Sequence, residues 1–437
     1  MKTSLNARRR AERGGVAAIT GLLLGFGVLL GAGAITIDVG NMMWERRQVQ
    51  NGADAAAMAL ALGCSKSAAN CSPSHPDIAL LNNANAADGA SSNDGVCKRF
   101  PLDYTGSTIS NNCDSAGDST VQQQEKLSNL AECAPLPGWL MGTGSGIPYV
   151  EVRTGTSTGG SSATALPAFI SKAITGTDNP HISACSRAAW GPPGSYTGSL
   201  PLAISACEWQ KYTGASIADG IPATFVTPPT YPDAYSGWPN KVGDEIYVLT
   251  HSTENKCNFN GKDTGGGFGW LDDGSNCSTT VSTTNNVDFW AEIKTGNSVP
   301  TSCKGLINSY EGKVLQLPVF DCLVKNDTAP SQPISAYPNC QPGAGGGSKT
   351  WYHLAGFASF YLSGNKLDNT VGKSSVINGV LPCSGASPTG SEPNPWSGNS
   401  GRCISGWFVS GTLTAPTIGT GGTGGANFGT SAIAPAG

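Results

Sequence analysis

Gly14 to Ile37, GGVAAITGLLLGFGVLLGAGAITI, is a run of 24 residues without a charged side chain. As a helix rising ~1.5 Å per residue it reaches roughly 36 Å, against a bilayer hydrocarbon core of about 30 Å. The run therefore predicts a transmembrane helix over 14–37, with a short segment before it and some four hundred residues after it. Lys2, Arg8, Arg9, Arg10 and Arg13 precede the run against Glu12 alone, and the first charges after it are Asp38 and Glu45. That asymmetry predicts a single-pass protein of the cell membrane, with residues 1–13 as a basic cytoplasmic tail and the remainder outside.

Ala32-Gly33-Ala34 would serve as a signal-peptide cleavage site after a basic region and an apolar one. The run is longer than the usual apolar region of about 7 to 15 residues, and the sequence beyond the site continues in helical pattern, so a retained anchor is the favoured reading. Gly21 with Gly25, and Gly27 with Gly31, form two small-xxx-small patterns that can let helix backbones meet in lipid.

Charged residues make up 13% of the 437-residue chain, its formal charge is -4 and its pI is near 5.6, which argues against nucleic acid as a partner. The fourteen cysteines, Cys64, Cys71, Cys97, Cys113, Cys133, Cys185, Cys207, Cys257, Cys277, Cys303, Cys322, Cys340, Cys383 and Cys403, all follow the apolar run. An even number confined to the exported side predicts up to seven disulfides. The spacing leaves their connectivity open, with Cys64–Cys71 and Cys97–Cys113 as short-range candidates. No C-x-x-C pair occurs, so thioredoxin-like and zinc-finger patterns are absent.

From Asp38 to Leu62, apolar or small residues at Val39, Met42, Met43, Val49, Ala53, Ala56, Ala57 and Leu60 describe one face of a helix, and Gly63 supplies a stop. Residues 38–63 thus extend the membrane helix as an amphipathic rod. Here the string AITIDVGNMMWERRQVQNGADAAAMALAL resembles the N-terminal segment of the TadE/TadG-like family of Tad (tight adherence, Flp-type) pilus assembly proteins. The matching positions are Asp38, Trp44, Arg46, Arg47, Gln48, Gln50, Asn51, Asp54, Ala55, Ala56 and Ala59. The resemblance implies a bitopic envelope protein of a pilus assembly or secretion locus, not an enzyme. Its implied partners are pilin, TadE-like proteins and an inner-membrane platform, with Asp38, Trp44, Arg46, Arg47, Gln48, Asn51 and Asp54 as docking residues. A prepilin carries glutamate five residues into the mature chain; counted from Gly15 that residue is Thr20, which favours an uncleaved, TadG-like member. SACSRAAWG, LPLAISACEW, KVLQLPVFDC, YHLAGFASFYLSG and CISGWFVSG resemble, more weakly, the ectodomains of TadG-related proteins. The Asp-x-Ser-x-Ser of a von Willebrand A metal site, present in some relatives, does not occur.

Residues 64–135 are polar and read as a disulfide-pinned cap with a short helix around Val121 to Leu130. Residues 136–417 read as a β-rich domain. Strands are predicted at 148–154, 181–191, 245–250, 287–293, 314–323, 351–362 and 403–413, with a short helix at 164–175. Gly, Pro and Asn turns between them indicate an antiparallel sheet or sandwich with a few short helices. Residues 418–437 are Gly-rich and uncharged and read as a flexible tail, and GAGGGS at 343–348 as a flexible loop.

His75, His181, His251 and His353 stand far apart, with no H-E-x-x-H, G-x-S-x-G or Walker A string. A serine or cysteine hydrolase would have to be assembled from distant residues and nothing nominates one, so no catalytic residue, metal ligand or cofactor is expected. LDDGSNCS at 271–278 lacks the ligand spacing of a calcium loop and reads as an Asp273-Gly274 turn. Tryptophans at 139, 190, 209, 238, 270, 290, 351, 396 and 407 read mostly as core. A few of them on one face would make the alternative function, an exported adhesin or carbohydrate-binding wall protein on the same anchor.

Overall fold

The computed structural model describes residues 2–86, 89–99, 109, 133, 137, 140, 147–156, 182–198, 200–214, 245–250, 257–259, 262–264, 267–271, 277–282, 289–293, 299–331, 334–337, 340, 349–367, 372–376, 379, 381–383, 402–414 and 426–437. The helices predicted at 121–130 and 164–175, the loop at 343–348, Cys113, His181, His251, Trp139, Trp238, Trp396 and the Asp273-Gly274 turn lie outside these residues.

One helix, α1 (Lys2–Lys66), dominates the N-terminal part. Proline is absent before position 73, so nothing in the sequence breaks the backbone ladder. At ~1.5 Å per residue its 65 residues reach about 97 Å. It does not stop at Gly63: the Ser65 hydroxyl donates to the Leu62 carbonyl, the amide of Ser67 bonds to Gly63, and a Cys64–Cys71 disulfide then folds the chain back. Next comes α2 (Pro76–Asn85), started by proline in its first turn and by the His75 ring accepting from the Asp77 amide.

Three strands follow, β1 (Ser91–Arg99), β2 (Tyr149–Thr156) and β3 (Ser183–Gly191). Then come β4 (Ser195–Gly198), β5 (Leu202–Ser205) and α3 (Ala206–Thr213), whose N-cap Ser205 accepts from the Cys207 amide and whose C-cap Gly214 adopts φ 65°. Short strands continue as β6 (Ile246–Leu249), β7 (Cys257–Phe259), β8 (Lys262–Thr264), β9 (Phe268–Trp270), β10 (Thr279–Ser282) and β11 (Trp290–Glu292). Two long strands, β12 (Lys313–Lys325) and β13 (Thr350–Lys366), carry near-continuous burial. The chain ends with β14 (Gly372–Lys373), β15 (Cys403–Val409), β16 (Gly411–Thr414), β17 (Ala426–Asn427) and β18 (Thr430–Pro435).

These strands form two main sheets. The first has order β1-β2-β3-β18-β16, antiparallel except for the parallel β16–β18 pair. The second runs β6-β15-β13-β12-β5-β9, with β11, β14 and β17 also pairing β13. A mainly β body with few helices is therefore found. The strand predicted at 403–413 is divided, because β15 belongs to the second sheet and β16 to the first. Its largest core packs Leu202, Ile204, Trp209, Phe268, Leu317, Phe360 and Phe408 on one face of the second sheet. Phe320 stacks on Tyr352 on the other, with centroids 3.9 Å apart.

From Ala426 on, the structure departs from the flexible-tail reading of 418–437; residues 418–425 lie outside the described set. Phe428 is fully buried in the core of the second sheet, edge-on to Trp209 at 5.0 Å, and its carbonyl accepts from the Trp209 indole. β17 pairs β13 there, while β18 lies between β3 and β16 in the first sheet. The glycine-rich composition hid one phenylalanine and one short strand, TSAIAP, whose first half is buried.

Disulfides Cys64–Cys71, Cys133–Cys185, Cys277–Cys303, Cys322–Cys340 and Cys383–Cys403 pin these elements. Cys97 and Cys207 are also disulfide-bonded. Among the described residues no cysteine is free. Among those residues, too, no helix is long and apolar enough to cross a membrane. Gly14–Ile37, where a crossing is expected, is helical throughout as part of α1, whose side chains are described at 20–26, 28, 32–33, 36–37 and from 39 onward.

Candidate functional site

The site is α1 itself, and its geometry follows from where the helix meets the sheets. Val49, Ala53, Ala56, Ala57, Leu60 and Ala61 are buried, against Val96, Val150, Val152, Ala184, Ala188 and Trp190 of the first sheet. Alanines bring the helix axis close to the strands, and Gly52 does the same for α2: a Cβ there would stand 3.3 Å from the Cα of Asn82. Polar ties fix the register. The Thr154 hydroxyl donates to the Val49 carbonyl at 3.1 Å, and Gln50 Nε2 donates both to the Cys185 carbonyl and to Asp54 Oδ1.

The apolar face predicted over 38–62 is therefore used only from Val49 onward. Val39 and Met43 are exposed, Met43 at 62%. They precede the sheet, as do Leu22, Leu23, Leu24, Phe26, Val28 and Ile37, all more than half exposed. Around the helix from the buried alanines, Trp44 is 54% exposed and Arg46, Arg47, Asn51 and Asp54 are exposed, with Gln48 half-buried. Of the predicted docking residues the helix thus brings Trp44, Arg47, Asn51 and Asp54 onto one outward strip. Arg46 lies about 100° around from Arg47, and the side chain of Asp38 is outside the described set. Gly21 and Gly25 face open space; nothing within 4 Å would meet a Cβ at either. The chemistry of such a strip is helix docking: two charges, an amide and an indole on a rigid support.

Elsewhere the structure assembles polar clusters that no local pattern announces. Glu151 and Arg187, both buried, pair at 2.7 Å between neighbouring strands, and Arg153 adds a second contact to the same carboxylate. Glu245 is buried and accepts from Ser375, which in turn meets Ser363. Burial holds its carboxyl above the ordinary carboxylate range, against hydroxyls of Ser405, Ser363 and Ser375 that pull it down. Glu208 accepts from the Gly267 amide at 2.8 Å. His353 Nδ1 and Asp321 Oδ1 stand 2.5 Å apart on β13 and β12, buried beneath the edge of Trp290. The nearest thing to a ligand set among the described residues, Cys133, Glu151 and Cys185, has both sulfurs committed to a disulfide. Trp190, Trp209, Trp270, Trp290 and Trp407 are buried and present no face to a glycan.

No curated protein and no solved structure matches the chain. A family model described as putative Flp pilus-assembly TadE/G-like matches residues 15–61. That interval covers the projecting part of α1, its exposed strip and the alanines that bind it to the sheet. Over this N-terminal segment the chain is similar to the TadE/G-like family of putative Flp pilus-assembly proteins.

Proposed function

We propose that the chain is a membrane-anchored, non-enzymatic component of a Tad-type (Flp) pilus assembly or secretion system. The observation that carries this reading is α1: one unbroken helix whose far end is packed into the β body while its apolar first half stands clear of it. Exposed leucines on a projecting helix require either lipid or other helices around them. The charge-free run 14–37, basic before and acidic first after, supports a single pass with the N-terminus in the cytoplasm and the disulfide-bonded body on the oxidising side. The outward strip of α1 is then the surface offered to pilin, TadE-like or platform proteins.

Pull-down of the full chain from crosslinked membranes tests the assembly role. Recovery of pilin, TadE-like or platform proteins supports it, and recovery of wall glycan alone overturns it. N-terminal sequencing of the membrane-extracted protein tests anchor retention: a start near Met1 is expected, whereas a start at Ile35 marks signal cleavage and one at Gly15 or Val16 prepilin processing.

A further inference from the structure

The outward strip of α1 has an internal order. Gly40, Trp44, Arg47, Asn51, Asp54 and Met58 follow each other at alternating gaps of four and three residues, the spacing of a seam that seats a second helix. All are exposed except Met58, which is half-buried against the core beneath the helix. Gly40 leaves open space at one end and Trp44 supplies apolar area beside it. In the middle stand one cation and one anion, Arg47 and Asp54, seven residues and ~10.5 Å apart on the same line. Between them Asn51 occupies a seam position where a lone amide favours one register over others.

Resting on the anchored reading above, we infer that this seam docks a parallel helix of a different protein, one with the reversed charge order, an acidic residue opposite Arg47 and a basic residue opposite Asp54. It rejects a second copy of this chain. Anchored copies lie at one depth and run in one direction, so self-pairing in register would set Arg47 against Arg47 and Asp54 against Asp54. Exposed ion pairs add little affinity, yet exchanging two like-charge contacts for two opposite ones decides between partners. An antiparallel copy would satisfy both charges, and a shared orientation in one membrane forbids it. A parallel copy shifted by seven residues would satisfy one pair only by moving ~10.5 Å out of the bilayer plane.

The chain itself supplies a surrogate partner. The full-length Asn51→Cys variant is co-expressed with a second, differently tagged full-length copy carrying Asn51→Cys, Arg47→Asp and Asp54→Arg, and disulfide-linked dimers are counted in isolated membranes. The expected result is mixed dimer exceeding either self dimer by about tenfold, the ratio that changed charge contacts of this kind can give. Equal self and mixed dimers, or no dimer of any kind, overturn the inference. So does linkage of co-expressed Trp44→Cys and Asn51→Cys copies, which reports the shifted self-pair. Fractionation of the unmodified chain separates the two ideas. A soluble chain sinks the anchored reading, whereas a membrane-bound chain with the wrong dimer pattern sinks the helix partner alone.

Discussion

Buried charges in the β body are held in two ways, by an opposite charge on a neighbouring strand or by hydroxyls and amides, and their consequences belong to single residues. The buried Glu151–Arg187 pair sits in the sheet that supports α1, so removing one partner leaves the other uncompensated. Glu151→Ala should cost about 3–5 kcal/mol in denaturant unfolding, whereas truncating the more exposed Arg153 should cost far less. Glu245 works in the opposite sense. Its folded-state pKa is raised, so the folded protein binds more protons than the unfolded one between the ordinary carboxylate value and the raised value. Its stabilising contribution is complete below that window and disappears as pH rises through it. Glu245→Gln should therefore gain stability relative to wild type as pH is raised from acid to neutral; a difference that stays flat with pH would refute this. Neither cluster was legible in the sequence. PYVEVRT reads as a strand with one wet face, yet Glu151 is as buried as Val152, and Ser375 reaches Glu245 from 130 residues away.

Elements that span the two sheets hold the body together. The last twelve residues contribute β17 to one sheet and β18 to the other, with Phe428 as the plug between. Ser359, Gln316 and Thr430 form a hydroxyl and amide bridge beside it, with Ser359 Oγ 2.7 Å from Thr430 Oγ1. Phe428→Ala should cost about 3–5 kcal/mol, and limited proteolysis should then release the C-terminal strand before other parts of the body. Gly356 is the matching constraint on β13, since a Cβ there would come within 2.5 Å of the Ala426 carbonyl. Gly356→Val should likewise free the segment, read by the same cleavage. Strands were legible where apolar alternation was strong, as at 148–154 and 181–191. The division of 403–413 was not, because both halves are apolar enough to be buried and only the pairing partners differ. For α1 the periodicity found the face but not its extent: Val39 and Met43 share the stripe of Ala53 and Leu60, and the sheet ends before reaching them.

At the level of the whole molecule, disulfides close loops of 7 to 52 residues in a body whose strands pair across long sequence distances. In the chain-entropy account each loop of ~15 residues contributes about 3 kcal/mol. Full reduction should lower the thermal midpoint well below that of the oxidised protein, and the near-ultraviolet circular dichroism of the buried tryptophans should report the loss; an unchanged midpoint would remove the disulfides from the account of stability. The cysteine count forecast this framework; of the two short-range candidates Cys64–Cys71 is formed, and Cys97–Cys113 involves Cys113, which lies outside the described residues. α1 has a further consequence, which is mechanical. It carries no proline and lies along the first sheet from Val49 to Ala61, so a pull on its projecting end runs down the rod and loads the helix-to-sheet contact in shear. All the alanine contacts then resist together rather than peeling one by one. Beyond them the Cys64–Cys71 bridge bounds how far the chain can pay out, and the body would follow the tether as a rigid load.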